Sequence, residues 1–177
     1  MTTGKNKPLR EANSGFTVVE LLVALAIAAV LMGFALPAFN GFVAQRDLTA
    51  RVNDFILATN YARSEASRVG GLVSVQAIDA SDGNNEWGPG FCVVQGDPGN
   101  CNGARLRTFD GYGDGTLDAL GGLNGVDTVG YNSRGLMTVG AAGTMQLCNS
   151  NTDIDPGRLI TMSAIGRGSV GELVCHP

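Results

Sequence analysis

Basic side chains are scarce in most of this chain of 177 residues, which has no lysine after Lys7. The first 15 residues carry Lys5, Lys7, Arg10 and Glu11, which sum to a net charge of +2. Because the whole chain has a net charge of −4, the remaining residues carry a net charge of −6. Proteins that bind nucleic acid through its backbone need many Lys and Arg side chains to neutralise phosphates. The acidic body therefore argues against general nucleic-acid binding, although a local arginine patch stays open.

The chain also lacks the residue patterns of an enzyme. Its only histidine is His176, next to the last residue, which is a poor place for a general base. Neither a G-x-S-x-G turn nor a phosphate-binding glycine loop is present. The four cysteines include no C-x-x-C pair, which disfavours zinc and thioredoxin-like chemistry. We therefore predict a protein without enzymatic activity, cofactor or metal.

Aromatic residues make up only 6% of the chain, whereas 26 residues are glycine, and this favours a turn-rich β domain over a helical bundle. From Leu72 onward, short β-like runs alternate with Gly/Asn/Asp clusters, which predicts a small antiparallel sheet. Trp87 is interpreted as a core residue under a loop. The predicted strands are Leu72–Ile78, Phe91–Val94, Ala104–Phe109, Val126–Tyr131, Leu136–Val139, Thr144–Cys148, Arg158–Ala164 and Glu172–Cys175. The stretches Asp79–Pro89 and Asp110–Gly125 are predicted linkers.

One long apolar run stands out, and it contains an acid near its start. In Phe16–Leu36 every residue except Thr17 and Glu20 is apolar or small. As a helix, this run would extend about 31 Å, the thickness of a bilayer's hydrocarbon core. An ionisable group there is usually functional, because it costs about 2.5–3.5 kcal/mol at the centre and less toward the interface. We therefore expect a membrane segment and a partner for the Glu20 carboxylate.

The basic residues before this run indicate an export signal whose positive end stays in the cytoplasm. An ordinary signal peptide, with its shorter apolar region, and a generic one-pass anchor are the alternatives. The rest of the chain then lies outside the cytoplasmic membrane, where disulfides persist. Four cysteines allow three pairings. We favour Cys92–Cys101 and Cys148–Cys175, because each joins neighbours along the chain.

The helix is predicted to continue beyond the membrane. Between Ala38 and Val69 the apolar residues recur at helical spacing, and Gly70-Gly71 is the expected stop. A kink is expected at Pro37, because a proline inside a helix removes a hydrogen bond and clashes with the preceding turn. The chain thus divides into a leader (1–15), a membrane half of the helix (16–36), an amphipathic outer half (37–71) and a β domain (72–177).

The start of the apolar run, Gly15-Phe16-Thr17-Val18-Val19-Glu20-Leu21-Leu22, resembles the processing site of the type IV pilin-like proteins. The resemblance implies that prepilin peptidase cuts between Gly15 and Phe16 and that the new Phe16 terminus is N-methylated. It also implies a filament in which Glu20 neutralises the terminal amine of a neighbouring subunit, since pairing recovers much of the cost of a buried charge. The alternative is a solvated Glu20 at the membrane interface. Pro37 matches a proline seen in many pilins.

The downstream sequence is similar to the FimT/FimU/GspH group of minor pilins and pseudopilins. The matching stretches are Asn60–Arg68, Trp87–Val94, Tyr131–Gly135, Gln146–Cys148 and Arg158–Arg167. The resemblance implies an α+β, pilin-like fold and the function of a type IV pilus minor pilin, with a type II secretion pseudopilin as the alternative. The implied partners are other pilin subunits, prepilin peptidase and the inner-membrane assembly platform. The implied location is the inner membrane, crossed once with the C-terminal domain in the periplasm, and the filament or cell surface after assembly.

A third function, DNA uptake in natural transformation, is implied by one branch of that group. Some FimT-like members bind DNA through a C-terminal Gly-Arg-x-Arg loop. The matching stretch here is Gly166-Arg167-Gly168-Ser169, in which serine replaces the second arginine and removes one phosphate contact. Arg158 and Arg134 are further candidates for such a patch. The competing interpretation is that Arg167 caps a turn or pairs with Glu172.

A calcium loop is the remaining candidate, at Asp110, Asp114 and Asp118. Ca²⁺ takes about six to eight oxygen ligands, and closely spaced aspartates with glycines can provide them. The EF-hand pattern is not met, because Tyr112 occupies its third position. A solvated acidic turn is the favoured interpretation.

Overall fold

The computed structural model describes residues 15–79, 86–113, 115–148 and 157–175. Its contacts divide the chain into two units that meet between Asn40 and Gly41. Several sequence predictions lie outside the described residues, namely those for most of the leader, for Asp114 and for His176.

One helix, α1, runs over Val18–Val69. It ends at the glycine pair predicted from the sequence. Gly70 has a φ of 67°, and the Gly71 N–H donates to the Ala66 carbonyl at 3.2 Å, which is the hydrogen bond of a Schellman stop. The helical assignment passes Pro37 without a break, and the kink stays a prediction.

Within the described part of the chain, no helical segment combines the length and the apolarity that a membrane crossing requires. The membrane segment over residues 16–36 therefore stays a prediction.

Two antiparallel sheets follow the helix in the described residues. The first sheet has the order β3-β2-β1-β5-β6 and the second has the order β4-β7-β8-β9. The strands are β1 (Val73–Ala77), β2 (Gly90–Gln95), β3 (Arg105–Asp110), β4 (Thr116–Leu120), β5 (Thr128–Tyr131), β6 (Met137–Val139), β7 (Gly143–Cys148), β8 (Gly157–Met162) and β9 (Gly168–Leu173). A short 3₁₀ helix, Gly121–Leu123, follows β4. The α+β prediction is confirmed.

The core lies between the outer half of α1 and the two sheets. The face of α1 that packs into the core has a small buried residue at every fourth position, namely Ala58, Ala62 and Ala66. These small side chains let the strands approach the helix closely. Phe55 is the large residue of this face, and its ring meets the rings of Trp87 and Phe91 edge to face. Trp87 is fully buried, and its indole N–H donates to the Val126 carbonyl at 3.1 Å.

The structure corrects the predicted linker Asp110–Gly125, which contains strand β4. Glycines and aspartates surround this short strand, so its composition resembles that of a loop. Nevertheless, Leu117 and Ala119 are buried in the core. Likewise, the last strand begins at Gly168 rather than at Glu172. Strand β4 is stabilised by pairing with β7, a distant partner that local composition does not reveal, whereas β9 pairs with β8 across the short turn that precedes it.

The candidate calcium loop is not assembled by the described residues, and the favoured interpretation of a solvated acidic turn is wrong for Asp118, which is buried. Asp110 ends β3 and Asp118 lies on β4, in the other sheet. Asp118 is buried and accepts a hydrogen bond from Gln146 Nε2 at 3.1 Å. Burial raises the pKa of Asp118, and the bond from Gln146 lowers it by less. Among the described residues, no group of three or more metal-binding side chains occurs.

Candidate assembly site at the start of the helix

The functional residues predicted at the N-terminus lie at the first turn of α1. Residues 15–17 are not helical, and the helix begins at Val18. The predicted cleavage point, between Gly15 and Phe16, therefore lies in the non-helical stretch just before the helix. Thr17 occupies the capping position, and Glu20 is the third residue of the helix.

Thr17 and Glu20 cap the helix reciprocally. Oε2 of Glu20 accepts hydrogen bonds from the backbone N–H and from the hydroxyl of Thr17, each at 3.0 Å. The Thr17 hydroxyl oxygen in turn accepts the backbone N–H of Glu20 at 3.2 Å. This is a capping box, which satisfies N–H groups that have no partner within the helix. The carboxylate also lies at the positive end of the helix dipole, which favours its charge.

The two oxygens of the Glu20 carboxylate differ in their contacts. Oε2 makes both bonds to Thr17, whereas Oε1 has no hydrogen-bond partner among the residues that the structure describes. The side chain is exposed. One oxygen is thus held by its own chain and the other is available to an external donor.

Around this carboxylate the first unit exposes large apolar side chains. Phe16 is 86% exposed and Phe34 is 78% exposed. The others are Val18, Val19, Leu21, Leu22, Val23, Leu25, Ile27, Val30, Leu31, Met32 and Phe39. A continuous apolar surface of this extent marks a site of interaction with protein or membrane.

The sequence prediction assigned no role to Thr17 beyond its place in the motif. Its T-x-x-E spacing with Glu20, just before an apolar run, is the local signature of a capping box and would have identified it.

Thr17→Ala is expected to loosen the first turn of the helix. The Glu20 N–H loses its acceptor, and loss of a threonine cap costs about 1 kcal/mol. Hydrogen exchange of the Glu20 amide in detergent-solubilised protein should therefore become about fivefold faster. Thr17→Ser is the matched control, since it keeps the hydroxyl and should exchange like the wild type. Equal exchange in the alanine and serine variants would contradict the capping role.

Two of the three arginines predicted for a DNA-binding patch lie on neighbouring turns. Arg134 lies between β5 and β6, and Arg167 lies between β8 and β9. The two turns are held together by the Tyr131 hydroxyl, which donates to the Gly166 carbonyl at 2.8 Å. Burial raises the pKa of Tyr131, so the phenol keeps the proton that it donates.

A further arginine joins these turns to the helix. Arg63 donates from Nη2 to the Ile165 carbonyl at 2.9 Å, and its guanidinium lies 5.0 Å from the centre of the Tyr131 ring. Sequence reasoning missed Arg63 as a member of this group, because its proximity depends on the packing of α1 against both sheets.

The third predicted arginine, Arg158, lies elsewhere. Its Nη2 donates to the Thr49 hydroxyl at 3.3 Å, and Thr49 precedes Arg63 by 14 residues of α1, about 21 Å of helix. The cross-strand neighbour of Glu172 is Arg158 rather than Arg167. The backbone of Arg167 instead closes its own turn, since its N–H donates to the Ser163 hydroxyl at 3.0 Å.

The structure contains the two disulfides that the sequence favoured. Cys92–Cys101 has a Cα–Cα distance of 5.9 Å, and Cys148–Cys175 has one of 5.8 Å. The second disulfide connects Cys148, the last residue of β7, to Cys175, two residues after the end of β9. Strand β8 lies between β7 and β9 in the sheet. Gly157 lies beneath it, where any side chain would overlap the sulfur of Cys175. Glycine is therefore required at this position.

Comparison with known proteins identifies the family. A family model described as "Type II transport protein GspH" matches residues 51–166, and a model of the prokaryotic N-terminal methylation motif matches residues 10–36. The chain belongs to the GspH family. As a GspH-family protein with the methylation motif, it is type IV pilin-like, and such proteins are structural rather than enzymatic.

Curated relatives of this GspH-family chain are fimbrial proteins. The type IV major fimbrial protein FimA of Dichelobacter nodosus (strain VCS1703A) is 28% identical over 119 residues, covering 63% of this chain and 60% of FimA. A fimbrial protein of the same species is 29% identical over 119 residues, covering 66% of this chain and 65% of that protein. The chain thus spans less than two thirds of the length of these relatives.

Solved structures with the same fold are minor pilins. The type IV minor pilin FimU of Pseudomonas aeruginosa (strain PAO1), in its P21 crystal form, superposes with a TM-score of 0.59 and 25% identity, over 73% of this chain and 92% of FimU. The P65 crystal form gives a TM-score of 0.56 at 24% identity.

Proposed function

We propose that this GspH-family protein is a minor pilin of a type IV pilus. Prepilin peptidase cuts between Gly15 and Phe16, and Phe16 becomes the methylated terminus. Residues 16–36 then hold the subunit in the inner membrane, crossed once with the C-terminal domain in the periplasm, until it enters the filament at its tip or along its length. The methylation motif and the likeness to FimU support this proposal.

The observation that carries the proposal is the geometry of Glu20. Its Oε2 is held by Thr17, which fixes the direction of the carboxylate at the end of the helix. In a filament of packed apolar helices the remaining oxygen would lie away from water, where an unpaired charge is costly. In a filament of packed helices, the amine of Phe16 from a neighbouring subunit is the complementary charge. The exposed apolar side chains of the first unit are covered by the same helices.

The direct test replaces Glu20 in a piliated strain and counts the pili. A type II secretion pseudopilin is the alternative, with the same N-terminal chemistry in a periplasmic filament. Chromosomal neighbours distinguish the two, since pilus genes and secretion genes stand in separate groups. Loss of secretion with an unchanged number of pili would favour the pseudopilin.

DNA binding at the pilus is a second candidate function, favoured by the joined turns of Arg134 and Arg167. Together with Arg63 they place three cationic side chains at one end of the domain, although the body carries net negative charge. So few phosphate contacts predict weak, strongly salt-dependent binding. Arg158 lies too far away to contribute.

A gel shift with the purified protein at low salt tests this function. If DNA is bound, Arg167→Ala and Arg134→Ala should each weaken retardation, and both should reduce its dependence on salt, because each removes one phosphate contact. Arg158→Ala is the matched control, with the same change in charge at a distant position. No retardation of DNA by the wild type, or retardation unchanged in Arg167→Ala, would eliminate DNA binding through this turn.

A further inference from the structure

A groove of about 260 Å³ lies beside α1 near the start of the second unit. Its lining residues are Phe42, Gln45, Arg46, Thr49 and Arg158. The four residues from α1 follow the spacing of one helix face, and Arg158 reaches the groove from β8. Two cationic side chains from distant parts of the chain therefore line one small groove.

Both guanidinium groups are positioned by their neighbours. Arg46 lies over the ring of Phe42, with 4.8 Å between its guanidinium carbon and the ring centre. Arg158 donates to the Thr49 hydroxyl at 3.3 Å and to the Gly157 carbonyl at 3.1 Å. The Thr49 hydroxyl donates to the Gln45 carbonyl at 2.9 Å, which orients its lone pairs toward Arg158. Pre-positioned guanidinium groups are well suited to phosphate oxygens, which they bind through charge-assisted hydrogen bonds.

Among the described residues, Asp47 is next to Arg46 in the chain and Glu172 is paired with Arg158 across the sheet. Asp47 is paired with Arg51, at 3.3 Å, and thus is engaged on a different side of the helix. Glu172 is the cross-strand neighbour of Arg158 and is exposed. Among the described residues, Arg46 has no carboxylate within ion-pair distance, so the groove keeps a cationic side chain for an external anion.

The position of the groove in the chain indicates where the anion comes from. Phe42 is six residues beyond Leu36, the end of the predicted membrane segment. Phe42 is 55% exposed and Val43 is 48% exposed beside it. Arginines whose stems cover apolar surface place their guanidinium groups at the level of lipid headgroups, and phenylalanine rings lie at the adjoining boundary with the acyl chains.

We propose that this groove binds the phosphate of a phospholipid headgroup while the subunit waits in the inner membrane. Arg46 and Arg158 bind the phosphate oxygens, and Phe42 contacts the adjoining glycerol and upper acyl chain. The inference rests on the proposed membrane anchoring of the subunit. Binding of the headgroup would hold the subunit at a defined depth in the membrane before assembly.

The test uses the full-length protein in nonionic detergent, with bound lipids counted by native mass spectrometry. Dioctanoyl phosphatidylglycerol is compared with dioctanoylglycerol, which lacks the phosphate, and with inorganic phosphate as a competitor. The wild type should retain one phosphatidylglycerol, and Arg46→Gln should reduce the affinity about tenfold, since it removes a hydrogen-bonded charge. Glu172→Gln should increase the affinity, because it removes a competing negative charge.

Arg105→Gln is the matched control, an exposed arginine on β3 with the same change in charge, and should bind like the wild type. Arg46 is itself exposed, so its variant should fold, and the emission of the buried Trp87 checks this. Equal retention of dioctanoylglycerol, or unchanged binding by Arg46→Gln, would overturn the proposal. Displacement of the lipid by an equal concentration of inorganic phosphate would overturn the assignment to a headgroup. Binding is measured on isolated subunits, so a failure here is distinct from a failure of pilus assembly.

Discussion

Replacing Glu20 with valine is expected to leave a processed subunit in the membrane and to reduce the number of pili. The variant keeps Gly15 and Phe16, so the peptidase still finds its site, but it loses the carboxylate that pairs with a neighbour's amine. That amine would then be buried without a partner, and breaking a buried ion pair by removing one member typically costs about 3–5 kcal/mol. Electron microscopy of pili, with immunoblots of sheared and membrane fractions, measures the effect.

Glu20→Gln separates the two roles of this side chain. Glutamine keeps the capping geometry with Thr17, since the capping box accepts Glu or Gln, but it removes the charge. We expect Glu20→Gln to be nearly as defective as Glu20→Val, because both leave the amine unpaired. A normal number of pili in Glu20→Gln would show that the cap suffices and that the intersubunit ion pair is not needed. An unprocessed subunit in either variant would also contradict the prediction, because Glu20 is assigned a role in assembly and not in cleavage.

Phe55→Ala is expected to destabilise the second unit, which begins at Gly41, by about 3–5 kcal/mol, the usual cost of removing a buried aromatic ring. Phe55 is fully buried, and its ring centre lies 5.2 Å from that of Trp87 and 5.4 Å from that of Phe91. Its loss removes edge-to-face contacts and leaves a cavity where the helix meets the first sheet. Domains are stable by only about 5–15 kcal/mol, so much of the total would be lost.

Trp87 provides the measurement, because it is the only tryptophan and is buried beside Phe55. Its emission should report guanidinium unfolding of the full-length protein in detergent, with a lower midpoint for Phe55→Ala. Leu57→Ala is the control, since Leu57 lies on the same helix but is 43% exposed and should change stability little. A similar loss in both variants would show that Phe55 has no special place in the core.

The elements that could be predicted from the sequence depend on residues close together in the chain. The glycine stop at Gly70-Gly71, the buried helix face through Phe55 and the burial of Trp87 all follow from local patterns. Strand β4 was missed, because its two inward residues, Leu117 and Ala119, are surrounded by glycine and aspartate. Its stability comes from pairing with β7, and that partner begins 23 residues after β4 ends.

The arginines show the same limit at the level of function. Arg134, Arg158 and Arg167 were grouped from the sequence as one candidate patch. The order of strands in two sheets brings the turns of Arg134 and Arg167 together with Arg63, and it places Arg158 beside Thr49 instead. The positions of arginines in the sequence therefore do not show which of their side chains lie close together in the fold.

The sequence by itself determined the processing motif, the apolar run with its single acid, and the long helix with its stop. These features depend on spacings of a few residues, and the physics of a helix turn or a capping box operates over that distance. Only the tertiary structure decided which arginines meet and which strands pair. Those outcomes depend on how distant segments pack together, because each contact must offset the entropy of ordering the chain between them.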